Sequence, residues 1–101
     1  MKKKIKPMLN KKEYELYFII KDFIEINHYS PTYRELLDKS EYKSVSSIMT
    51  TIFKLAELGF IEIATNEEGN IIQRSIRIIY TKENIERLEE IKLRLEEREN
   101  E

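Results

Sequence analysis

The chain has 101 residues, which is the length of one domain, and its net charge is -1. It contains no cysteine, which excludes disulfides, thiolate metal sites and cysteine nucleophiles. No apolar run is long enough to span a bilayer, so we expect a cytoplasmic protein that has no membrane partner. The charge is uneven, because residues 1–12 hold six lysines and no acidic residue, whereas residues 81–101 hold five basic and eight acidic residues. This imbalance indicates an anionic partner for the front of the chain.

A first helix is predicted directly after residues 1–8, which are expected to form a flexible basic arm. Asn10 can cap this helix, and Glu13, three residues later, can complete a reciprocal capping box. The apolar side chains of the helix form a wide stripe, which is typical of the central helix of a small domain. The members of the stripe are Tyr14, Tyr17, Phe18, Ile19, Ile20, Phe23, Ile24 and Ile26.

Two further helices are predicted between residues 32 and 58. The segment NHYSPT breaks the first pattern, and Thr32 with Glu35 then forms a second capping box at the start of a short helix that ends near Lys39. After a turn, Ser44 can cap a third helix. Gly59 is suited to the left-handed backbone that ends such a helix.

The third helix has two different sides. Steps of 100° per residue place Ile48, Ile52 and Leu55 on one narrow apolar face. The opposite side is largely polar and contains Ser46, Thr50, Lys54 and Glu57, flanked by Ser47, Met49 and Phe53. Small hydroxyl side chains on an outer face predict that this helix lies close against a partner.

A β-hairpin and a last helix complete the chain. Apolar residues partly alternate on both sides of the polar segment NEEGN, which predicts a hairpin with a polar tip. Thr81 can cap a helix over residues 81–101 that carries one apolar stripe. The stripe consists of Ile85, Leu88, Ile91 and Leu95, and it could fold back onto its own domain or pair with a second copy.

The order of elements is helix, short helix, turn, longer helix, hairpin and helix. This order predicts a fold that is mainly α with a small β-hairpin (α+β). We therefore expect a winged helix-turn-helix domain over residues 9–80, followed by the C-terminal helix over residues 81–101.

The middle of the chain resembles the DNA-binding domain of LexA-type repressors. The resemblance extends over about residues 8–80 and needs no gap between Tyr29 and Gly59. The opening of the second helix, the serine-rich start of the third helix and the Gly-aromatic-Ile-Glu step into the hairpin carry it. The matching residues are Tyr29, Pro31, Thr32, Arg34, Glu35, Ser44, Ser46, Ser47, Ile48, Ile52, Leu55, Gly59, Phe60, Ile61 and Glu62.

Three features depart from the family pattern. Val45 stands where the family usually has proline, and Glu41 stands where it usually has glycine in the turn of the motif. The self-cleaving protease domain of the family has no room in these 101 residues, and neither Gly59 nor Gly69 follows an alanine. We therefore expect regulation that does not depend on autoproteolysis.

The resemblance implies that the third helix, about residues 45–58, enters the major groove of double-stranded DNA. Serine, threonine and methionine can donate to phosphates or contact base edges there. The positions that the family places against the bases are Ser44, Ser46, Ser47, Met49 and Thr50. The cations expected to contact phosphates are Arg34, Lys43, Lys54 and Arg74.

The function implied is a sequence-specific transcriptional regulator, most simply a repressor that occupies a promoter. Such stand-alone regulators are common in phages and mobile elements. We predict a homodimer through the stripe of the last helix, because readers of short half-sites usually bind palindromes as dimers.

The alternative function is a winged helix module that binds or inhibits another protein without relying on DNA. Glu67 and Glu68 at the hairpin tip, together with Phe53, favour this alternative. An enzyme finds no support, since His28 is the single histidine and the sequence has no glycine-rich phosphate loop. We expect no cofactor, no metal and no small-molecule ligand.

Overall fold

Each of the first three helices begins directly after a polar residue whose side chain caps it. The protein is described by a computed structural model that covers residues 9–99, so the expected basic arm lies outside the described residues. Helix α1 spans Lys11–Asn27, α2 spans Tyr33–Lys39 and α3 spans Val45–Glu57. Asn10 and Thr32 each form the complete reciprocal capping box, and the Ser44 hydroxyl accepts a hydrogen bond from the Ser47 amide. The predicted helix starts are therefore confirmed.

The step from α3 into the hairpin requires left-handed backbone at one residue. Gly59 has a φ of +88°, and the Phe60 N–H then donates to the Leu55 carbonyl over 3.0 Å. This geometry directs the chain into β1, Ile61–Glu62, which pairs antiparallel with β2, Arg77–Ile78. A side chain at residue 59 would strain this turn.

The paired part of the hairpin is shorter than its sequence pattern predicts. We call the segment between the two strands, residues 63–76, the wing. Within it, only the bridge between Thr65 and Ile71 continues the pairing. Arg74 has a φ of 58°, so the second arm of the wing cannot remain an extended strand. The Ser75 hydroxyl takes over part of the pairing, because it bonds both the N–H and the carbonyl of Ala64.

Helix α4, Lys82–Glu99, is attached to the base of the hairpin through a buried asparagine. Thr81 caps the helix as predicted, since it accepts from the Asn84 N–H over 3.0 Å. The Asn84 amide also donates to the carbonyls of Gly59 and Ile79, at 2.9 and 3.0 Å. One side chain thus connects the end of α3, the end of β2 and the first turn of α4.

The apolar stripe of α4 faces its own domain. Leu88 and Ile91 are only 8% and 3% exposed, and Leu95 packs half-buried against the same core. Ile85 is 59% exposed and is the one member of the stripe that stays at the surface. The prediction that all four residues serve a second copy is corrected here, because three of them already bury their apolar area inside the chain. A dimer cannot use the stripe as a unit while α4 remains docked.

A single core joins all four helices and the hairpin. Its buried hydrophobic members are Leu9, Leu16, Tyr17, Ile20, Leu36, Tyr42, Ile48, Ile52, Leu55, Phe60, Ile61, Ile71, Ile76, Leu88 and Ile91. The fold class predicted from the sequence, an α+β winged helix-turn-helix with a C-terminal helix, is confirmed. Within the described part of the chain, no helix has the length and apolar content that crossing a membrane requires.

Candidate nucleic-acid interface

Helix α3 is held so that one long side remains in solvent. Ile48, Ile52 and Leu55 have no exposed surface and fix the helix against the core. Thr51 adds a polar contact on the same side, because its hydroxyl lies 2.9 Å from the buried Tyr42 hydroxyl. The turn before α3 adopts ordinary backbone at Glu41, since the positive φ angles outside glycine belong to other residues. The departure from glycine at this position therefore needs no strained turn.

The solvent side of α3 carries a line of four exposed residues. Ser46, Thr50, Phe53 and Glu57 follow one another at helical spacing and are all exposed. Four of the five predicted base-facing residues, Ser44, Ser46, Ser47 and Thr50, are exposed at the N-terminal half of this side, and Met49 is half-buried beside them. The structure therefore brings the predicted set together on one surface. We call the solvent side of α3 that carries this set and the exposed line from Ser46 to Glu57 the α3 face.

Some of the hydroxyl groups on the α3 face already donate their hydrogen to another group of the chain. Thr50 donates its hydroxyl to the Ser46 carbonyl over 3.1 Å, along its own helix. The hydroxyls of Ser44 and Ser47 lie 3.0 Å apart, so one of the two donates to the other. Only Ser46 and one hydroxyl of that pair keep a hydrogen for an outside acceptor. Hydrogen bonding from this face is consequently sparse, whereas its apolar groups stay available.

Two of the four predicted phosphate contacts are exposed and carry no ion pair within residues 9–99. Lys43 precedes the Ser44 cap at the start of α3, and Arg34 lies in the first turn of α2. Neither makes a hydrogen bond or salt bridge to another described residue, so a phosphate would not have to displace a partner. Lys43 lies directly before the N-terminal end of the α3 face, and Arg34 lies on the neighbouring helix α2.

Lys54 is tied to the start of α1. Its ammonium lies 2.8 Å from Glu13 Oε1, and that same oxygen accepts from the Asn10 N–H in the capping box. The Lys54 side chain is 41% exposed, so the ion pair is partly screened by water. A phosphate at this position would compete with a carboxylate already in place.

Arg74 is engaged with the loop and helix behind the wing. Its guanidinium reaches both carboxylate oxygens of Glu35 at 3.2 Å and donates to the Ser30 carbonyl at 2.9 Å. It also stacks over the Tyr29 ring, with its central carbon 4.8 Å from the ring centre. Arg74 therefore fixes the wing to the start of α2, and three of its five N–H groups are already used within the chain, so a phosphate would have to compete with Glu35 and Ser30.

The acceptor of this bidentate pair has a second role. Glu35 closes the capping box of α2, so one carboxylate holds both the Thr32 N–H and Arg74. The Thr32 N–H, followed by the Arg74 guanidinium, holds the pKa of the Glu35 carboxyl below its ordinary value of 4.5. The wing receives a further contact where the Tyr33 hydroxyl donates to the Ile71 carbonyl over 2.7 Å.

The sequence predicted the surroundings of two residues unequally. Phe53 was expected to flank the polar side and to favour a protein partner, and its ring is 41% exposed on the α3 face. Glu35 was recognised as a cap but not as the partner of Arg74, because the two are 39 residues apart. The period of the helix locates Phe53 from the sequence, whereas nothing local in the sequence signals the Glu35–Arg74 pair.

The described residues contain no group of three or more histidine, aspartate or glutamate side chains that could hold a metal ion. The described carboxylates lie on helix surfaces, in caps, in the turn before α3, on β1 and at the wing tip. The chemistry that the α3 face offers is therefore contact chemistry: hydroxyl acceptors, two cations and exposed apolar groups.

The comparisons with known proteins agree with this geometry. The family model described as the LexA DNA binding domain matches residues 7–68, which is more than half of the chain. The matched segment contains α1, α2, α3, β1 and the tip of the wing. A search of curated protein sequences found no significant match.

Proposed function

Because this chain belongs to the LexA DNA-binding domain family, a family of DNA-binding regulators, we propose that it is a sequence-specific repressor of transcription. In this proposal α3 lies in the major groove of double-stranded DNA, and the protein represses by occupying a promoter. Helix-turn-helix proteins use the second helix of the motif in this way.

The observation that carries the proposal is the composition of the α3 face. Its first half is exposed, and the residues on it are small or apolar where a helix surface usually has lysine and glutamate. A helix with short side chains can approach the floor of a groove that is about 12 Å wide. In this proposal Lys43, directly before α3, and Arg34, on α2, supply the positive charge that phosphates require.

We further propose that two copies act together on DNA. Only two of the four predicted phosphate contacts, Lys43 and Arg34, are without an ion pair among residues 9–99, which predicts weak binding by a monomer. A palindromic site bound by two copies would add the contacts of both. The contact between copies would have to use residues other than Leu88 and Ile91, which are buried in the core.

A charge reversal on the α3 face tests the proposal. Thr50→Glu places a carboxylate where the groove would be, so we expect binding to duplex DNA to be lost while the circular dichroism spectrum is unchanged. Leu93→Glu is the matched control, because it adds the same charge at an exposed position of α4 outside the apolar stripe. Fluorescence anisotropy with labelled duplex reports both variants. Binding by Thr50→Glu that equals the unchanged protein would overturn the placement of α3 in the groove.

A second function is favoured by one observation. Phe53 exposes 41% of its surface, and Glu67 and Glu68 are exposed at the wing tip, which suits a protein partner better than a phosphate backbone. In that case the chain is a winged helix module that binds or inhibits another protein. Salt separates the two functions, because DNA binding weakens steeply as salt rises and an apolar interface does not.

A further inference from the structure

The α3 face presents apolar groups at the points where a base reader would be expected to present donors. Thr50 has given its hydroxyl hydrogen to the Ser46 carbonyl, so a methyl group and an acceptor oxygen are what it retains for a partner. Phe53, one turn further along the same line, is an exposed aromatic ring. The α3 face has no arginine, asparagine or glutamine, the side chains that read guanine and adenine through paired hydrogen bonds.

We propose that Thr50 and Phe53 are specificity-determining residues that recognise the C5-methyl groups of thymine in the major groove. The inference rests on the proposed function and extends it by naming the feature of DNA that is recognised. Thymine is the only unmodified base that presents a methyl group there, and threonine methyl and phenylalanine are suited to contact it. The operator is therefore expected to contain thymines under α3.

The contact surface has a limited length along α3. Ser46 and Phe53 are seven residues apart, which corresponds to about 10 Å along the helix axis. Glu57, one turn beyond Phe53, is exposed and acidic, so the contact ends at that point because phosphates repel its carboxylate.

The distribution of charge supports apolar recognition. Lys43 directly precedes the N-terminal end of the face and Arg34 lies on α2, whereas the line from Ser46 to Phe53 carries no cation. Lys54 is the nearest candidate along the helix, and it is paired with Glu13. In this inference Lys43 and Arg34 attract DNA of any sequence, whereas Thr50 and Phe53 select the sequence.

The test removes only the methyl groups from the DNA. A preferred duplex is first selected from a random library, and its thymines are then replaced by deoxyuridine, which keeps every hydrogen-bonding group. We expect binding to weaken by about fourfold for each methyl group that α3 buries. Thr50→Ser and Phe53→Ala should each weaken binding to the thymine duplex and have a smaller effect on the deoxyuridine duplex.

Matched variants control for changes elsewhere. Thr81→Ser removes an exposed methyl group at the cap of α4, and Leu93→Ala removes an exposed apolar side chain of the same helix that lies outside the stripe. Both should retain the full preference for thymine over deoxyuridine.

Failure of the inference and failure of the proposed function give different results. If specific binding is equally tight to the thymine duplex and to the deoxyuridine duplex, recognition of the methyl group is overturned. The proposed function as a DNA-binding regulator would still stand in that case. A library that yields no preferred sequence, or a folded protein that binds no duplex, would contradict the proposed function itself.

Discussion

Arg74 and Lys43 appear equivalent in the sequence as cations near the predicted DNA surface, but the structure uses them differently. Arg74 directs its donors to Glu35 and Ser30 within the chain, whereas Lys43 has no ion pair among residues 9–99. Arg74 therefore positions the wing, and Lys43 is available to a phosphate. Residue type alone could not separate the two roles.

Substitution of these two cations should separate affinity from its salt dependence. Lys43→Gln is expected to reduce the slope of log affinity against log salt by about 0.9 per copy, because one phosphate contact is lost. Arg74→Gln should lower the Tm and weaken binding by the same factor at every salt concentration, since the wing loses its attachment. Fluorescence anisotropy at several salt concentrations measures both slopes. A decrease in slope for Arg74→Gln as large as that for Lys43→Gln would show that Arg74 contacts phosphate.

Glu35 should make the fold sensitive to acid. Its pKa in the folded protein lies below the ordinary value of 4.5, so its stabilising contribution is present above that pH and is lost as the pH falls through the folded value. Urea unfolding at about pH 6 and about pH 3.5 should show a smaller loss of stability in Glu35→Gln than in the unchanged protein. An equal loss in both proteins would mean that the cap and the Arg74 pair do not depend on this charge.

At the scale of elements, α4 belongs to the winged helix domain and extends its core. Asn84 attaches its first turn to the hairpin, and Leu88 and Ile91 continue the core beyond it. Arg87 adds a contact where its guanidinium lies 4.2 Å from the centre of the buried Phe60 ring. A helix that dimerises through the whole stripe would have to give up these contacts first.

Two substitutions by alanine on α4, one buried and one exposed, test whether this helix is docked on its own domain. Leu88→Ala should reduce the free energy of unfolding by about 2–4 kcal/mol, because it leaves a cavity in the core. Ile85→Ala should change it by less than about 0.5 kcal/mol, because the side chain is exposed. Denaturant unfolding at two protein concentrations measures both. A large effect of Ile85→Ala that grows with protein concentration would instead indicate a stripe buried between two copies.

The elements that the sequence predicts well are those specified by neighbouring residues. All four predicted helix caps are present, because a cap depends on two residues that are three apart in the sequence. The capping residues are Asn10, Thr32, Ser44 and Thr81. The inward side of α3 was equally predictable from its period.

Burial that depends on distant partners was harder to predict. Ile26 belongs to the predicted stripe of α1 but is 74% exposed, because the helix ends at the next residue and nothing covers it. Within the wing, Ile71 is 6% exposed and its neighbour Ile72 is 46% exposed, a difference that the partial alternation of apolar residues does not predict. The turn at Arg74 shifts the alternation, and only the three-dimensional contacts with Ser30 and Glu35 reveal that turn.

At the scale of the whole molecule, a net charge of -1 requires that attraction to DNA be local. Lys43 lies at the N-terminal end of α3 and Arg34 on α2, and the acidic residues of α4 belong to a different element. Repulsion between α4 and phosphate would favour an orientation in which α3 faces the duplex and α4 faces away. Such an arrangement gives direction to binding, although the total charge gives no net attraction.

The central claim is that the α3 face binds double-stranded DNA, and a salt titration tests it most directly. Fluorescence anisotropy of a labelled duplex is measured with the unchanged protein between about 50 and about 200 mM salt. The account predicts binding at low salt that weakens by roughly tenfold or more over this range, because at least two phosphate contacts per copy release counterions. A folded protein that binds no duplex at low salt, or whose binding does not change with salt, would contradict it.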